Sequence, residues 1–325
     1  MKQIKTLFST RRSMAAAGTC ELLHDMSDEE LKELQNCFLE MLRDIIQVCE
    51  KNNICYLMAG GTALGAVRHK GFIPWDDDVD LLMPRKDLDR FVQLFDRELG
   101  DGYELCSPNA GSHMVTSLIT EIYKKNTRKT ILMNINTPFP KGVHIDIFPI
   151  ESVPEHKILR TAKGVISLAA QYWTVSSLMY TYRDKRIRRF FEQTMAGRLN
   201  YYLRMALGFL GSFRPYTKWY NSYDRFIRGR EDSEVWAVPT DIGHYFGHIM
   251  PKSVYVPPVK GIFEGMEVNL PHDTDRYLKN QYGDYWKIPP VEDRERHYFV
   301  DFCLDTEKEK EMKEHADGNG WETEN

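Results

Sequence analysis

The chain has 325 residues, 42% hydrophobic and 28% charged, which supports a substantial core and excludes wholesale disorder. Six cysteines, at positions 20, 37, 49, 55, 106 and 303, show no CxxC spacing, so neither a zinc site nor a disulfide framework is readable and reduced, cytosol-facing thiols are the simplest account. The formal net charge of -4 hides an uneven distribution, because between residues 157 and 230 the only acids are Asp184, Glu192 and Asp224 among many lysines and arginines.

Residues 1–24 are expected to be a mobile segment. They carry basic residues but no continuous apolar stretch, so no signal peptide is expected. Ser27 followed by Asp28, Glu29 and Glu30 is a capping box. Leu31, Leu34, Phe38, Met41, Leu42, Ile45 and Ile46 then recur at helical spacing, predicting a helix that ends near Asn52 and Asn53. Residues 54–59 predict a short buried strand leading into Gly60-Gly61, and residues 62–69 a short helix. Pro74 and Trp75 make a turn before a strand at 79–83, and 87–99 is a second amphipathic helix. Strands are expected at 103–106, 114–124, 129–133 and 143–148, with turns at 108–109 and 138–142. The order predicts an α+β fold, a mixed sheet with flanking helices.

Residues 156–230 change character. The stretch 164–182 carries no charge over nineteen residues, which approaches the length of a membrane span. Ser167, Gln171, Thr174, Ser176, Ser177 and Thr181 make it polar, and Arg183, Lys185, Arg186, Arg188 and Arg189 follow it. A buried helix, an interfacial or acceptor-docking helix, and a true span all fit. The basic surplus suits an anionic membrane surface or an anionic glycan; no recognised nucleic-acid module accompanies it, so nucleic acid is not expected as a partner. The charged tail from residue 305 is expected to begin as helix and end disordered.

The chemistry concentrates between Ala59 and Met83. Asp76, Asp77, Asp78 and Asp80 lie within five residues and repel one another unless a cation is present. Alternate strand residues share a face, so Asp78 and Asp80 point the same way, an arrangement suited to Mg²⁺ shared with substrate phosphates. The Gly60-Gly61 turn lets backbone N–H groups approach a phosphate, and the helix after it offers its positive end. A solvated acidic loop is disfavoured because Val79, Leu81, Leu82 and Met83 run directly into a buried strand. A calcium loop is excluded: counted from Asp76, its required glycine and glutamate positions hold Leu81 and Asp87. The segment points to chemistry on a nucleotide or nucleotide sugar.

The sequence GGTALGAVRHKGFIPWDDDVD, from Gly60 to Asp80, resembles the signature of the LicD/fukutin family of the nucleotidyltransferase superfamily. Three later segments fit in order: His144 to Pro149, Phe263-Glu264-Gly265 through Asn269, and a C-terminal box of Tyr277-Leu278, Tyr282-Gly283-Asp284-Tyr285, Pro289-Pro290 and His297. The resemblance implies a nucleotidyltransferase-like mixed sheet with a helix-rich insertion. It implies a mobile segment at 1–24, a catalytic core at 25–155, a basic helical insertion at 156–230, the C-terminal part of the domain at 231–304 and a charged tail at 305–325. It implies that Asp78 and Asp80 hold one or two Mg²⁺ ions, with Mn²⁺ as the alternative. Asp146 completes the site, as a metal ligand or as general base.

Gly60, Gly61 and Thr62 would contact phosphate. Arg68, His69 and Lys70 would contact phosphate or balance the aspartates. Trp75 would stack on the donor or pack under the loop, and Asp77 would orient the turn or reach donor hydroxyls. The implied reaction moves a phospho-alcohol, phosphocholine foremost, from a CDP-alcohol donor to a hydroxyl of a glycan or glycolipid acceptor such as lipopolysaccharide or teichoic acid, releasing CMP. A true nucleotidyltransferase, adding NMP and releasing pyrophosphate, is the alternative. A cytoplasmic location is expected, with peripheral association on the inner face of the membrane as its variant.

Overall fold

A computed structural model describes residues 24, 26–229, 233–290, 294 and 299–309. The expectations for segment 1–24, for the end of the tail and for His297 fall outside these residues.

Helix α1 (Asp28–Lys51) opens on the expected capping box, with the Ser27 hydroxyl accepting from the Glu30 N–H and the Glu30 carboxylate accepting from the Ser27 N–H. Such a cap stabilises a helix by about 1 kcal/mol. The buried stripe of α1 includes Leu34, Phe38, Met41, Leu42 and Ile45. Strand β1 (Leu57–Met58) is shorter than predicted, and helix α2 (Gly60–Arg68) starts on the glycine pair itself. Strand β2 (Asp80–Pro84) and helix α3 (Arg85–Glu98) follow.

Next come β3 (Tyr103–Cys106), β4 (Thr120–Lys124), β5 (Arg128–Ile131) and β6 (His144–Ser152). The strand expected at 114–124 covers only its second half, because residues around Thr116 to Ile119 line a cavity instead of pairing. The strand expected to reach 133 ends at Ile131, where a 3₁₀ turn, Leu132–Asn134, begins.

The central sheet runs β1-β2-β6-β4-β3, with β2 and β6 parallel and the other neighbours antiparallel. This mixed sheet with helices is the expected α+β architecture. Leu81, Ile122, Ile145 and Ile147 are fully buried and join Phe38, Met41, Phe91 and Phe95 of the helices in one core. Each such side chain contributes about 1.5–3 kcal/mol by leaving water.

Helices α4 (Lys157–Thr181), α5 (Lys185–Glu192), α6 (Met195–Gly211) and α7 (Tyr216–Ile227) occupy the basic stretch. Among the described residues no helix is long and apolar enough to cross a membrane, so α4 is not a span. Beyond them lie β7 (Val235–Ala237), α8 (His244–Gly247), β8 (Met250–Pro251) and α9 (Lys252–Tyr255). The hairpin of β9 (Val259–Phe263) and β10 (Met266–Leu270), helix α10 (Thr274–Tyr282) and β11 (Phe299–Cys303) complete the described chain. Strand β7 extends the sheet by pairing with the end of β6, and β11 pairs with β5.

A buried ion network joins the helices to the sheet. Arg85 at the start of α3 donates to Glu151 of β6 at 2.6 Å and to Asp224 of α7 at 2.8 Å. Arg228 bonds Asp224 at 3.2 Å and clasps Asp89 at 2.6 and 3.0 Å. Glu151 is 0% and Asp224 2% exposed, so neither carboxylate is compensated by water. Arg85→Ala leaves the buried Glu151 without its ion pair, while Asp224 keeps Arg228, and is expected to cost about 3–5 kcal/mol in urea unfolding. A loss below about 1 kcal/mol would show that the network is not a stabilising clamp.

Candidate active site

The pairing of three strands builds an acidic row. Asp80 of β2 is in register with Asp146 of the parallel β6, and Asp146 is in register with Glu121 of the antiparallel β4. Registered neighbours project from the same sheet face at roughly 5 Å separation. Their chain neighbours Leu81, Ile145, Ile147 and Ile122 fill the core on the other side. Asp78 stands two residues before Asp80, in the irregular segment ahead of β2. Burial pushes the Asp80 carboxyl well above the usual range, with the charges of Asp78, Asp146 and Asp241 adding to the effect.

Glu121 is 8% exposed; burial raises its carboxyl too, against hydrogen bonds from Thr116 and Tyr123, the latter at 2.9 Å. His144 Nε2 lies 3.8 Å from Asp146 Oδ1. One donor atom each from Glu121, His144 and Asp146 come within 4.8 Å of one another. Asp241 approaches from the segment after β7. Burial alone would raise it, but the hydrogen bond and charge of His248, at 3.0 Å, hold its carboxyl below the usual range.

The glycine turn lies directly against these acids. Gly60 has φ +47°, and a Cβ there would sit 3.2 Å from Asp80 Oδ2. A Cβ on Gly61 would sit 2.9 Å from Asp76 Oδ2. Both positions need glycine, one for its backbone conformation and both for the closeness of a carboxylate. The Gly60 N–H donates to the Tyr277 hydroxyl at 3.1 Å, and the Asp80 N–H donates to Thr62 Oγ1 at 2.9 Å. Thr62 is therefore directed at the backbone of Asp80.

Arg68 donates to the Tyr285 carbonyl at 2.7 Å and to His69 Nε2 at 2.9 Å, within electrostatic reach of Asp76 and Tyr282. Burial and the Arg68 charge hold the His69 imidazole below its ordinary value. Lys70 is exposed, and its carbonyl accepts from Glu264 N–H. Trp75 is half-buried with the Arg294 guanidinium 4.0 Å from its ring centre. Asp77 is buried, and its carbonyl accepts from Lys129 Nζ at 2.5 Å.

The structure thus gathers Asp78, Asp80, Asp146, Gly60, Gly61 and Arg68 around one place. Thr62, Asp77 and Trp75 lie in the supporting layer, and His69 and Lys70 sit at the edge. The sequence reasoning missed Glu121, Asp241, His248 and Lys129. A lone acid inside the apolar run Ile119 to Tyr123 was a readable signal for Glu121; Asp241, in an irregular segment, gave none. The C-terminal motif segments converge on the glycine turn: Tyr277 bonds Gly60, and Glu264 accepts from Phe72 N–H at 3.1 Å. Beside Glu121, a mostly apolar cavity of about 340 Å³ is lined by Thr116, Ile119, Tyr182, Arg204, Tyr220 and Thr240.

Residues 53–175 match the family model described as "LicD/FKTN/FKRP, nucleotidyltransferase domain". Over 268 residues the chain is 28% identical to the lipopolysaccharide cholinephosphotransferase LicD of Haemophilus influenzae, covering 82% of this chain and 96% of that protein. Over 68 residues it is 40% identical to the ribitol 5-phosphate transferase FKRP of Homo sapiens, covering 20% of this chain and 14% of that protein. An uncharacterized protein of Rickettsia prowazekii is 32% identical over 124 residues, covering 34% of this chain and 44% of that relative. The matched region holds the glycine turn, the aspartate run and all three strands of the acidic row, so the likeness to the LicD family rests on the residues of this site.

Proposed function

We propose that this protein is a phosphotransferase that moves a phospho-alcohol, phosphocholine foremost, from a CDP-activated donor to a hydroxyl of a cell-surface glycan, with release of CMP. The acidic row facing the glycine turn carries the reading, and the activities named for LicD and FKRP, both transfers of a phosphorylated alcohol, support it. Residues 25–155 and 231–304 would form the catalytic unit, with 156–230 inserted between them, in a cytoplasmic or peripheral protein.

A hard divalent cation fits the residues present. The donors are carboxylate oxygens, and the Asp80 carboxyl is pushed up by burial and by neighbouring acids whose charge a cation would neutralise. Asp78, Asp80 and Asp146 would hold Mg²⁺, or Mn²⁺, which when bound neutralises charge on the transferring and leaving oxygens. Gly60 and Gly61, lacking side chains, leave room for a diphosphate beside Asp80. Arg68, within electrostatic reach of Asp76, adds positive charge. In its alternative role, as general base instead of metal ligand, Asp146 would take the proton of the acceptor hydroxyl while the new O–P bond forms and the bond to CMP breaks. The cavity beside Glu121 would receive the acceptor sugar. An attack on the nucleotide phosphorus instead would make the protein a true nucleotidyltransferase, the activity named in the family description.

Metal-free Asp80 binds a proton in the folded state that it gives up on unfolding. Its contribution to stability therefore declines as pH rises from about 4 through the raised folded value. Asp80→Asn is expected to raise the melting temperature of the metal-free protein at pH 8 and to abolish stabilisation by Mg²⁺. In the unsubstituted protein, stabilisation by Mg²⁺ should be weaker at pH 5 than at pH 8. Equal Mg²⁺ stabilisation of both proteins would remove Asp80 from the metal site.

A donor screen by mass spectrometry with Mg²⁺, offering CDP-choline, CDP-ribitol, CDP-glycerol and plain NTPs with a glycan extract, tests the reaction. CMP release with a CDP-alcohol, reduced at least about 100-fold in Asp80→Ala, is expected. Pyrophosphate release from an NTP would establish the alternative.

A further inference from the structure

Helices α4 and α6 are built inside out. A surface helix of a water-soluble protein ordinarily turns its apolar stripe to the core. Helix α4 instead buries Gly164, Ser167, Gln171, Thr174 and Ser177, and α6 buries Asn200, Arg204, Gly208 and Gly211. Their outward residues are apolar: Ile158 is 72% exposed, Met195 79%, Leu199 61%, Phe209 62% and Phe213, just past α6, 78%. Met195, Leu199, Tyr202, Phe209 and Phe213 recur three, four or seven positions apart, which keeps them on one stripe.

Polar side chains on the inner faces pair with one another. The Tyr172 hydroxyl donates to Asn200 at 2.8 Å, the Arg204 guanidinium lies 4.2 Å from the Tyr172 ring centre, and Ser167 meets the Tyr223 hydroxyl at 3.0 Å. The inversion runs along most of both helices; Met179 and Tyr201 alone turn inward to a small apolar cluster with Leu132, Ile187 and Phe191, and the outward stripe remains uncovered.

Charge identifies what would cover it. Between residues 157 and 229 there are fourteen lysines and arginines against three acids. Arg198 on α6, Arg189 on the preceding α5, and Lys218 and Arg225 on α7 are all exposed. Two copies of so positive a surface repel each other, whereas an anionic bilayer attracts it and accepts its apolar side chains. The surface also borders the acidic site. The ring of Phe246, 41% exposed, lies where a Cβ on Gly164 of α4 would fall, and Ile242, 66% exposed, adjoins Asp241, whose charge acts on Asp80.

We propose that α4 and α6, with Ile242 and Phe246, form a surface that seats on an anionic lipid bilayer without crossing it. The apolar side chains enter the boundary between headgroups and acyl chains, and the basic side chains meet lipid phosphates. The active-site acids then open close to the headgroup plane, where a lipid-linked acceptor would present its sugar. The seat itself does not depend on the transfer reaction, and its test reads binding alone.

The test is flotation of the full chain with phosphatidylcholine vesicles, with and without phosphatidylglycerol, at about 0.1 M and about 0.5 M salt. Partitioning onto the anionic vesicles is expected to be at least about tenfold stronger than onto neutral ones, and to weaken at the higher salt. Leu199→Glu with Phe209→Glu should reduce it at least about tenfold with an unchanged unfolding curve, since both positions face outward. Arg189→Glu with Arg198→Glu should remove the preference for anionic lipid. Failure to float on any vesicle, or flotation indifferent to the Leu199→Glu and Phe209→Glu pair, overturns the proposal. So does a concentration-dependent dimer that the same pair abolishes without any vesicle binding, because a second copy then covers the face.

Discussion

Mutual repulsion among carboxylates on one sheet face is the constraint around which this protein is arranged. The register of β2, β6 and β4 places Asp80, Asp146 and Glu121 side by side, and Asp78 and Asp241 add to the same field. Left to itself such a row would separate. It persists because the opposite face of the same strands is fully apolar and packed under α1 and α3. The core stabilises a site that is unfavourable on its own, a cost that functional sites commonly impose on a fold.

The surroundings of the row follow from the same constraint. A side chain at Gly60 or Gly61 would fall against a carboxylate, so the turn carries none. Thr62 and Lys129 hold the backbone of the aspartate run from either side, through Asp80 N–H and the Asp77 carbonyl. Tyr277, more than two hundred residues along the chain, closes the turn from above. The Arg85 network fastens the end of β6 to α7 and with it the basic helices, so the acidic site and the helical surface are parts of one rigid frame.

Local features of this fold were legible in the sequence. The capping box at Ser27 and the stripe of α1 depend on residues within one or two turns, and both are present as expected. The alternation of Asp146 with Ile145 and Ile147 marked a strand with one polar face. What depends on pairing between distant strands was not legible. Glu121 gains its place only because β4 lies against β6 in one register, and a shift by one residue would turn it to the core. The bond from the Asp80 N–H to Thr62 Oγ1 joins residues eighteen apart and was equally hidden. The outward apolar stripe of α6 was hidden for a different reason. Apolar residues outnumber its polar ones, so composition alone suggests a buried helix, and only burial shows which set faces in.

The central claim is that the acidic row holds a divalent cation against the phosphates of the donor. Crystals grown with Mn²⁺ and CDP-choline, with the manganese located by its anomalous scattering, test it most directly. The account predicts a peak about 2.0–2.3 Å from carboxylate oxygens of Asp78, Asp80 and Asp146 and in contact with a donor phosphate. A donor bound with no cation at these carboxylates, or manganese held elsewhere, would contradict it.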